Sequence, residues 1–267
     1  MTRDLFDRRA VLFLPASNKR AIAKARASSA EMVILDLEDA VKPAEKEAAR
    51  EAALAAVAEP WLMPVGIRVN GFGTRWHADD IEALTRSRAD FAVVPMVSLP
   101  AVITLVREKS AKPVLAMIES AAGVLAAPMI ARDAAGLIMG TNDLAADLRL
   151  PRGPGRGALQ YALQSVIIAA RAAGCAVFDG VFNQLDDPDG LAAECAETRR
   201  LGFDGKTLIH PDQIETCLAA FAPTTDEIAR AERLVAAALG GAERFEGAMV
   251  ETMHVDAARR LLERAAR

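Results

Sequence analysis

The stretch VLAMIESAAGVLAAPMIARDAAGLIMGTND, residues 114–143, decides the fold. Two apolar runs, VLAMI and GLIM, each end in a carboxylate a residue or a few residues on, Glu119 and Asp143, and the segment between them has helical length. Short apolar runs that alternate with longer helical stretches are the signature of parallel strands crossed over by helices. Outward along the chain the pattern repeats. Strand candidates lie at 11–14, 32–37, 65–69, 91–95, 114–118, 136–139, 176–178 and 206–209. Stretches such as 42–58 and 159–173 carry apolar spacing that suits helices between them.

Eight such repeats in 267 residues predict a closed α/β (β/α)8 TIM barrel over residues 1–222. A C-terminal helical extension or lid over 223–267 is expected to pack on a neighbouring subunit. It holds a helix at 226–238 capped by Thr224 or Thr225, then Gly240-Gly241, a short segment at 244–247 and a last helix near 255–264. Gly153, Pro154, Gly155 and Gly157 mark a loop after the sixth strand.

Composition narrows the function. Aromatic residues make up 4% and the net charge is −4, which argues against a nucleic-acid partner, since phosphate binding needs a dominant basic surface. No apolar run approaches the ~20 residues that span a bilayer, and MTRDLFDRR with its short apolar sequel makes a poor signal peptide. Cys175, Cys195 and Cys217 form no C-x-x-C pair, so no disulfide framework is expected and a cytoplasmic location fits. No G-x-G-x-x-G follows a strand and no P-loop occurs.

In a parallel barrel the C-terminal strand ends open onto one face, where active sites lie. Arg68, in VGIRVN (65–70), closes the third strand as Glu119 and Asp143 follow the fifth and sixth. Magnesium takes one or two protein carboxylates and completes its shell with water and substrate oxygens, and these two acids supply that minimum. Asp143 as the cap of the next helix is the structural alternative. Arg68 must reach the mouth or pair inside it, because a buried unpaired guanidinium is very costly. It suits a carboxylate or an enolate, or an ion pair with Asp36 or Glu38. The run ILDLEDAVKPAEK (34–46) places Asp36, Glu38 and Asp39 at the second strand's exit, an acid group suited to supporting a metal site. Past the first strand, Ser17, Asn18, Lys19 and Arg20 open a helix, a combination that suits phosphate. His210, in LIHPDQ (208–213), follows the eighth strand, either facing a ligand at the mouth or as a loop residue shaped by Pro211.

The segments LFLPAS (12–17), VILDLEDAV (33–41), IRVNG (67–71), IESAAG (118–123), GTNDLA (140–145), FDGKTLIHPDQI (203–214) and FEGAMVE (245–251) together resemble the citrate lyase β-subunit-like branch of the HpcH/HpaI aldolase superfamily. The resemblance implies a magnesium-dependent barrel, with manganese as a substitute, assembled as a homo-oligomer (a trimer or a dimer of trimers). It implies cleavage of a malyl-CoA or citramalyl-CoA type of 3-hydroxyacyl-CoA to acetyl-CoA and a 2-oxo acid. Glu119 and Asp143 would be the metal ligands and Arg68 the catalytic arginine beside the thioester. Ser17, Lys19 and Arg20, with Ile209, His210 and Pro211, would lie along the coenzyme A path. Glu251 would be a catalytic carboxylate reaching a neighbouring subunit's site.

Two departures stand out: Asn142 where many members carry an acid, and Glu251 where the lyases carry aspartate. The extra methylene moves the carboxylate by roughly 1–1.5 Å, a displacement that can cost ~100-fold in rate. Close relatives hydrolyse the malyl-CoA thioester, and DGVFN (179–183) is similar to theirs. Thioester hydrolysis at the same site is therefore one alternative. A pyruvate aldolase acting on free oxo acids is another, and a citrate lyase β subunit acting inside a complex is a third.

Overall fold

The computed structural model describes residue 5, residues 8–151 and residues 155–266; Gly153 and Pro154 of the expected loop lie outside them. The chain divides into two compact units, Met1–Ala220 and Phe221–Arg267.

In the first unit, eight strands form a closed barrel in chain order, all parallel. They are β1 (Ala10–Pro15), β2 (Met32–Asp36), β3 (Val65–Arg68), β4 (Phe91–Val94), β5 (Val114–Ile118), β6 (Gly136–Met139), β7 (Ala176–Asp179) and β8 (Gly205–Leu208). The helices are α1 (Lys19–Ala25), α2 (Lys46–Ala58), α3 (His77–Arg86), α4 (Pro100–Ser110), α5 (Ala121–Ile130), α6 (Thr141–Asp147), α7 (Gln160–Ala173), α8 (Pro188–Leu201) and α9 (Ile214–Phe221). Strands buried on both faces read as nearly continuous apolar runs, which is why the sequence shows them so plainly. One face builds a single core from Val11, Ile34, Phe91, Val93, Leu115, Met117, Ile138 and Phe178. The alternate residues, such as Leu12, Leu35, Ile67 and Leu137, are equally buried on the other face.

Strand registers place the site. Asp36 pairs with Arg68, and Ile118, just before Glu119, pairs with Met139. The chemistry-bearing residues therefore finish at about one level around the rim. α6 begins at Thr141 with Gly140 as its cap, so Asp143 lies in the first turn and does not cap the helix.

The second unit holds α10 (Thr225–Ala237), β9 (Glu243–Phe245), β10 (Ala248–Val250) and α11 (Thr252–Ala265), around Ala231, Leu234, Val250, Val255 and Ala258. Thr224 opens α10 in a reciprocal capping box with Glu227. The expected short segment at 244–247 is an antiparallel hairpin whose turn residues, Glu246 and Gly247, both have positive φ.

Candidate active site

Arg68 is fixed before any ligand arrives. Its Nε and Nη2 bind the two oxygens of Asp36 at 2.6 and 2.7 Å, and Nη1 lies 2.8 Å from Glu38 Oε2. The guanidinium carbon also lies 5.2 Å from the centre of the Phe13 ring. The ion pair and the place at the mouth thus coexist. Burial alone would lower the Arg68 pKa; the hydrogen bonds and charge of Asp36 raise it, so the group is a permanent cation. A guanidinium has five N–H donors, and hydrogen bonds to Asp36 take two of them. One of the remaining three points at Met117 Sδ, a weak acceptor 3.7 Å away that an oxygen ligand readily displaces.

Asp36 does two jobs. Besides Arg68 it accepts the backbone N–H groups of Glu38 (2.8 Å) and Ala40 (3.0 Å), which curls the chain after β2. Lys46, buried at the start of α2, donates to the carbonyls of Leu37 and Glu38 and to Asn70 Oδ1 at 2.8, 2.7 and 2.6 Å. It thereby ties the β2 exit to the β3 exit. Burial pushes the Glu38 carboxyl up to about 8, against the opposing pull of Arg68.

Glu119 is 2% exposed. Its Oε1 accepts the Met96 N–H at 2.5 Å, while Oε2 is buried with no hydrogen-bond partner. Burial raises this carboxyl to about 7; the Met96 N–H and Arg68 pull it down, and Asp143 pushes it up again. Gly140 makes the arrangement possible, because a Cβ there would lie 2.2 Å from Glu119 Oε2. Asp143 is exposed at the rim, its carboxyl raised first by partial burial and then by Asp39.

A cavity of about 410 Å³ brings these groups together. Asp36, Asp39, Glu119 and Asp143 line it with Arg68 as the cation, and Phe13, Met117, Met139, Val181 and Ile209 supply apolar wall. Four acids face one arginine that is already bound to Asp36. An unpartnered buried carboxylate oxygen beside a second carboxylate fits a hard divalent cation, held by Glu119 and Asp143 with oxygens from water and ligand. Among the described residues no group of three or more His, Cys, Asp or Glu side chains converges as a cage.

Other expected residues fall elsewhere. Ser17 and Lys19 are exposed and line a separate groove between α1 and α2, and Arg20 is exposed. His210 turns back on its own loop, where Nδ1 accepts the Asp212 N–H at 3.2 Å; Pro211 starts the 3₁₀ turn Pro211–Gln213. Glu251 lies in the second unit, at the start of α11 beside a cavity lined by that unit's residues. Val181 and Asn183, within the DGVFN segment, line the cavity wall, although the sequence assigns neither a role of its own.

A buried ionic cluster behind β7 and β8 also went unforeseen. Asp179 accepts from Arg156 Nη1 (2.7 Å) and Nη2 (2.5 Å), Thr198 Oγ1 (2.6 Å) and Lys206 Nζ (2.9 Å). Lys206, fully buried, also binds Glu194 Oε1 and the Gly180 carbonyl, each at 2.6 Å. The signal was there: a lysine inside the strand GKTL must find partners, since a buried lone ammonium is very costly.

The first unit is thus a parallel barrel whose mouth gathers four carboxylates around a fixed arginine. The chain belongs to the HpcH/HpaI aldolase/citrate lyase family, whose model matches residues 9–211. It is 42% identical to a (3S)-malyl-CoA thioesterase of Cereibacter sphaeroides, over 96% of this chain and 94% of that protein. To a citrate lyase subunit beta of Leuconostoc mesenteroides subsp. cremoris it is 35% identical, over 86% of this chain and 82% of the relative. The crystal structure of the protein CitE from Mycobacterium tuberculosis in complex with magnesium, acetoacetate and coenzyme A superposes with a TM-score of 0.86 at 34% identity, covering 97% of this chain and 98% of that one.

Proposed function

We propose that this protein is a magnesium-dependent acyl-CoA enzyme that hydrolyses the thioester of a malyl-CoA type of substrate. The observation that carries the reading is the unpartnered, buried Oε2 of Glu119 in the same cavity as Arg68. The 42% identity to malyl-CoA thioesterases favours hydrolysis over carbon–carbon cleavage. The magnesium and coenzyme A in the M. tuberculosis CitE complex support the cofactor and the substrate class.

Magnesium, when bound, neutralises charge on the substrate's oxygens as a Lewis acid. Glu119 and Asp143 hold it. The N–H groups of Arg68 that Asp36 leaves free meet the thioester carbonyl and stabilise the negative charge that develops on its oxygen. Asp36 and Glu38 keep that guanidinium from turning away, so no reorganisation is needed as charge appears. The apolar wall of Phe13, Met117 and Val181 excludes bulk water, which strengthens these contacts. The family resemblance assigns Glu251 the remaining proton transfer, from a neighbouring copy in a homo-oligomer. As a general base it takes a proton from the water whose oxygen bonds to the thioester carbon; the carbon–sulfur bond then breaks, and the departing CoA thiolate takes the proton back from Glu251.

A second reading, cleavage of the same acyl-CoA to acetyl-CoA and a 2-oxo acid, draws on the citrate lyase β subunits. In it Arg68 faces the thioester enolate and Glu251 protonates it.

The test is a product assay on malyl-CoA and citramalyl-CoA, with magnesium and with chelator. Free CoA with the intact hydroxy acid, formed only with metal, is expected. Acetyl-CoA with a 2-oxo acid would transfer the assignment to the lyase reading, and undiminished turnover in chelator would overturn the metal site.

A further inference from the structure

The loops that follow β7 and β8 meet at one buried side chain outside the cavity. Gln213 closes the turn Pro211–Gln213 and is 4% exposed. Its Oε1 accepts the backbone N–H groups of Ile209 at 3.0 Å and His210 at 3.3 Å. Its Nε2 donates to the Phe182 carbonyl at 2.9 Å. One carboxamide thus bridges the two loops.

The loop it grips is held at other points as well. The carbonyl of Gly180 accepts Lys206 Nζ at 2.6 Å, and a Cβ on Gly180 would lie 2.5 Å from Thr141 Oγ1, so the chain passes close to α6. Val181 and Asn183, on either side of Phe182, line the cavity, and Ile209 lines it from the other loop. Asn183 and Asn142 exchange hydrogen bonds, Nδ2 of each donating to Oδ1 of the other at 2.7 and 3.2 Å.

We propose that Gln213 is a positioning residue that sets the spacing of these two loops, so that Val181, Asn183 and Ile209 form one wall against the acyl thioester. This rests on the acyl-CoA reading above. The task needs a carboxamide: an acceptor for two N–H groups at one end and a donor to a carbonyl at the other. Glutamate has the same shape but offers the Phe182 carbonyl no N–H. Methionine fills the space and leaves all three backbone groups without their partner, a cost of ~1–3 kcal/mol for each that stays buried. The loops respond by moving, and the wall moves with them.

The experiment compares Gln213→Glu and Gln213→Met with wild type in the full chain. Amide hydrogen exchange at Ile209 and His210 is expected to accelerate in the methionine variant, with the β5 and β6 amides unchanged. On malyl-CoA with magnesium, kcat/KM should fall by about 100-fold, the loss that follows a ~1 Å misplacement. Magnesium affinity, read by calorimetry, should stay within about threefold, because Glu119 and Asp143 sit on other strand ends. Should the methionine variant fail to fold, the isosteric glutamate variant carries the kinetic test. An active wild type with either soluble variant within about threefold of it in kcat/KM overturns the proposal, as does a loss matched by an equal loss of magnesium affinity. A wild type that turns over no acyl-CoA ester is a different result: it removes the functional reading itself, and this inference falls with it.

Discussion

Replacing Asp179 by asparagine tests the buried ionic cluster directly. Asp179 and Glu194 balance Arg156 and Lys206, and Asp179 and Lys206 have no solvent exposure. Asn keeps the shape but turns an N–H₂ toward groups that are themselves donors, and leaves the cluster with a net positive charge. Breaking a buried pair in this way costs about 3–5 kcal/mol. For a chain of this size each kcal/mol moves the melting point by roughly 2–4 °C, so the variant should melt about 10 °C lower. The same carboxylate carries a pH signature. Burial would raise its pKa, but Lys206 and Arg156 outweigh that and hold it at about 2, against an ordinary 3.8. A folded-state value below the unfolded one means that the stability is full above pH ~4 and is lost as pH falls toward 2, by about 2 kcal/mol in all. In thermal melts from pH 7 to pH 2.5, wild type should lose more stability than Asp179→Asn, by roughly this amount. The double variant Asp179→Asn/Lys206→Met, with neutrality restored, should melt above the single one. A single variant that melts within about 3 °C of wild type would refute the reasoning, because it would show that the cluster is not desolvated.

Three further outcomes follow from the site. Arg68→Lys keeps the charge but loses the planar fork that spans both Asp36 oxygens, and kcat/KM should fall by about 10²–10³ in steady-state assays; a change under tenfold would remove Arg68 from the chemistry. Gly140→Ala drives a methyl to within 2.2 Å of Glu119 Oε2, so activity should drop by about 100-fold and magnesium affinity should weaken with it; wild-type binding by calorimetry would contradict the placement of that carboxylate. Glu251→Ala and Arg68→Ala, each inactive alone, should regain activity when mixed under conditions in which subunits exchange, as a shared site requires. A dead mixture despite exchange would confine Glu251 to its own subunit.

What the sequence made legible depended on where each residue's partners lie. The eight strands were readable because burial on both faces removes polar residues from them, and their ends were readable because a charge or proline interrupts the run. Arg68, Glu119, Asp143 and Ile209 meet in one cavity because parallel strands in register finish at one level, a property of the barrel that needs no knowledge of side-chain contacts. The hairpin at 243–250 was missed since its strands, ERF and AMV, are three residues each with only Val250 buried, and so show no long apolar run. Lys206, Arg156, Asp179 and Glu194 were missed for another reason. Each looks like an ordinary charge at its own position; only the packing of α8 on β7 and β8 brings residues up to 50 apart in sequence into one desolvated cluster. Gln213 was hidden by its neighbours, because His210 has the side chain that usually does chemistry and Gln213 does not. Yet His210 spends Nδ1 on the Asp212 N–H, and Gln213 joins two loops with both ends of its carboxamide. Titratable residues at strand ends therefore reveal where a barrel acts, whereas the shape of the site is set by neutral and fully paired groups that no local pattern singles out. In this chain Val181 and Asn183 line the cavity beside Arg68 and Glu119, on a loop that Gln213 joins to the one after β8 through the Phe182 carbonyl.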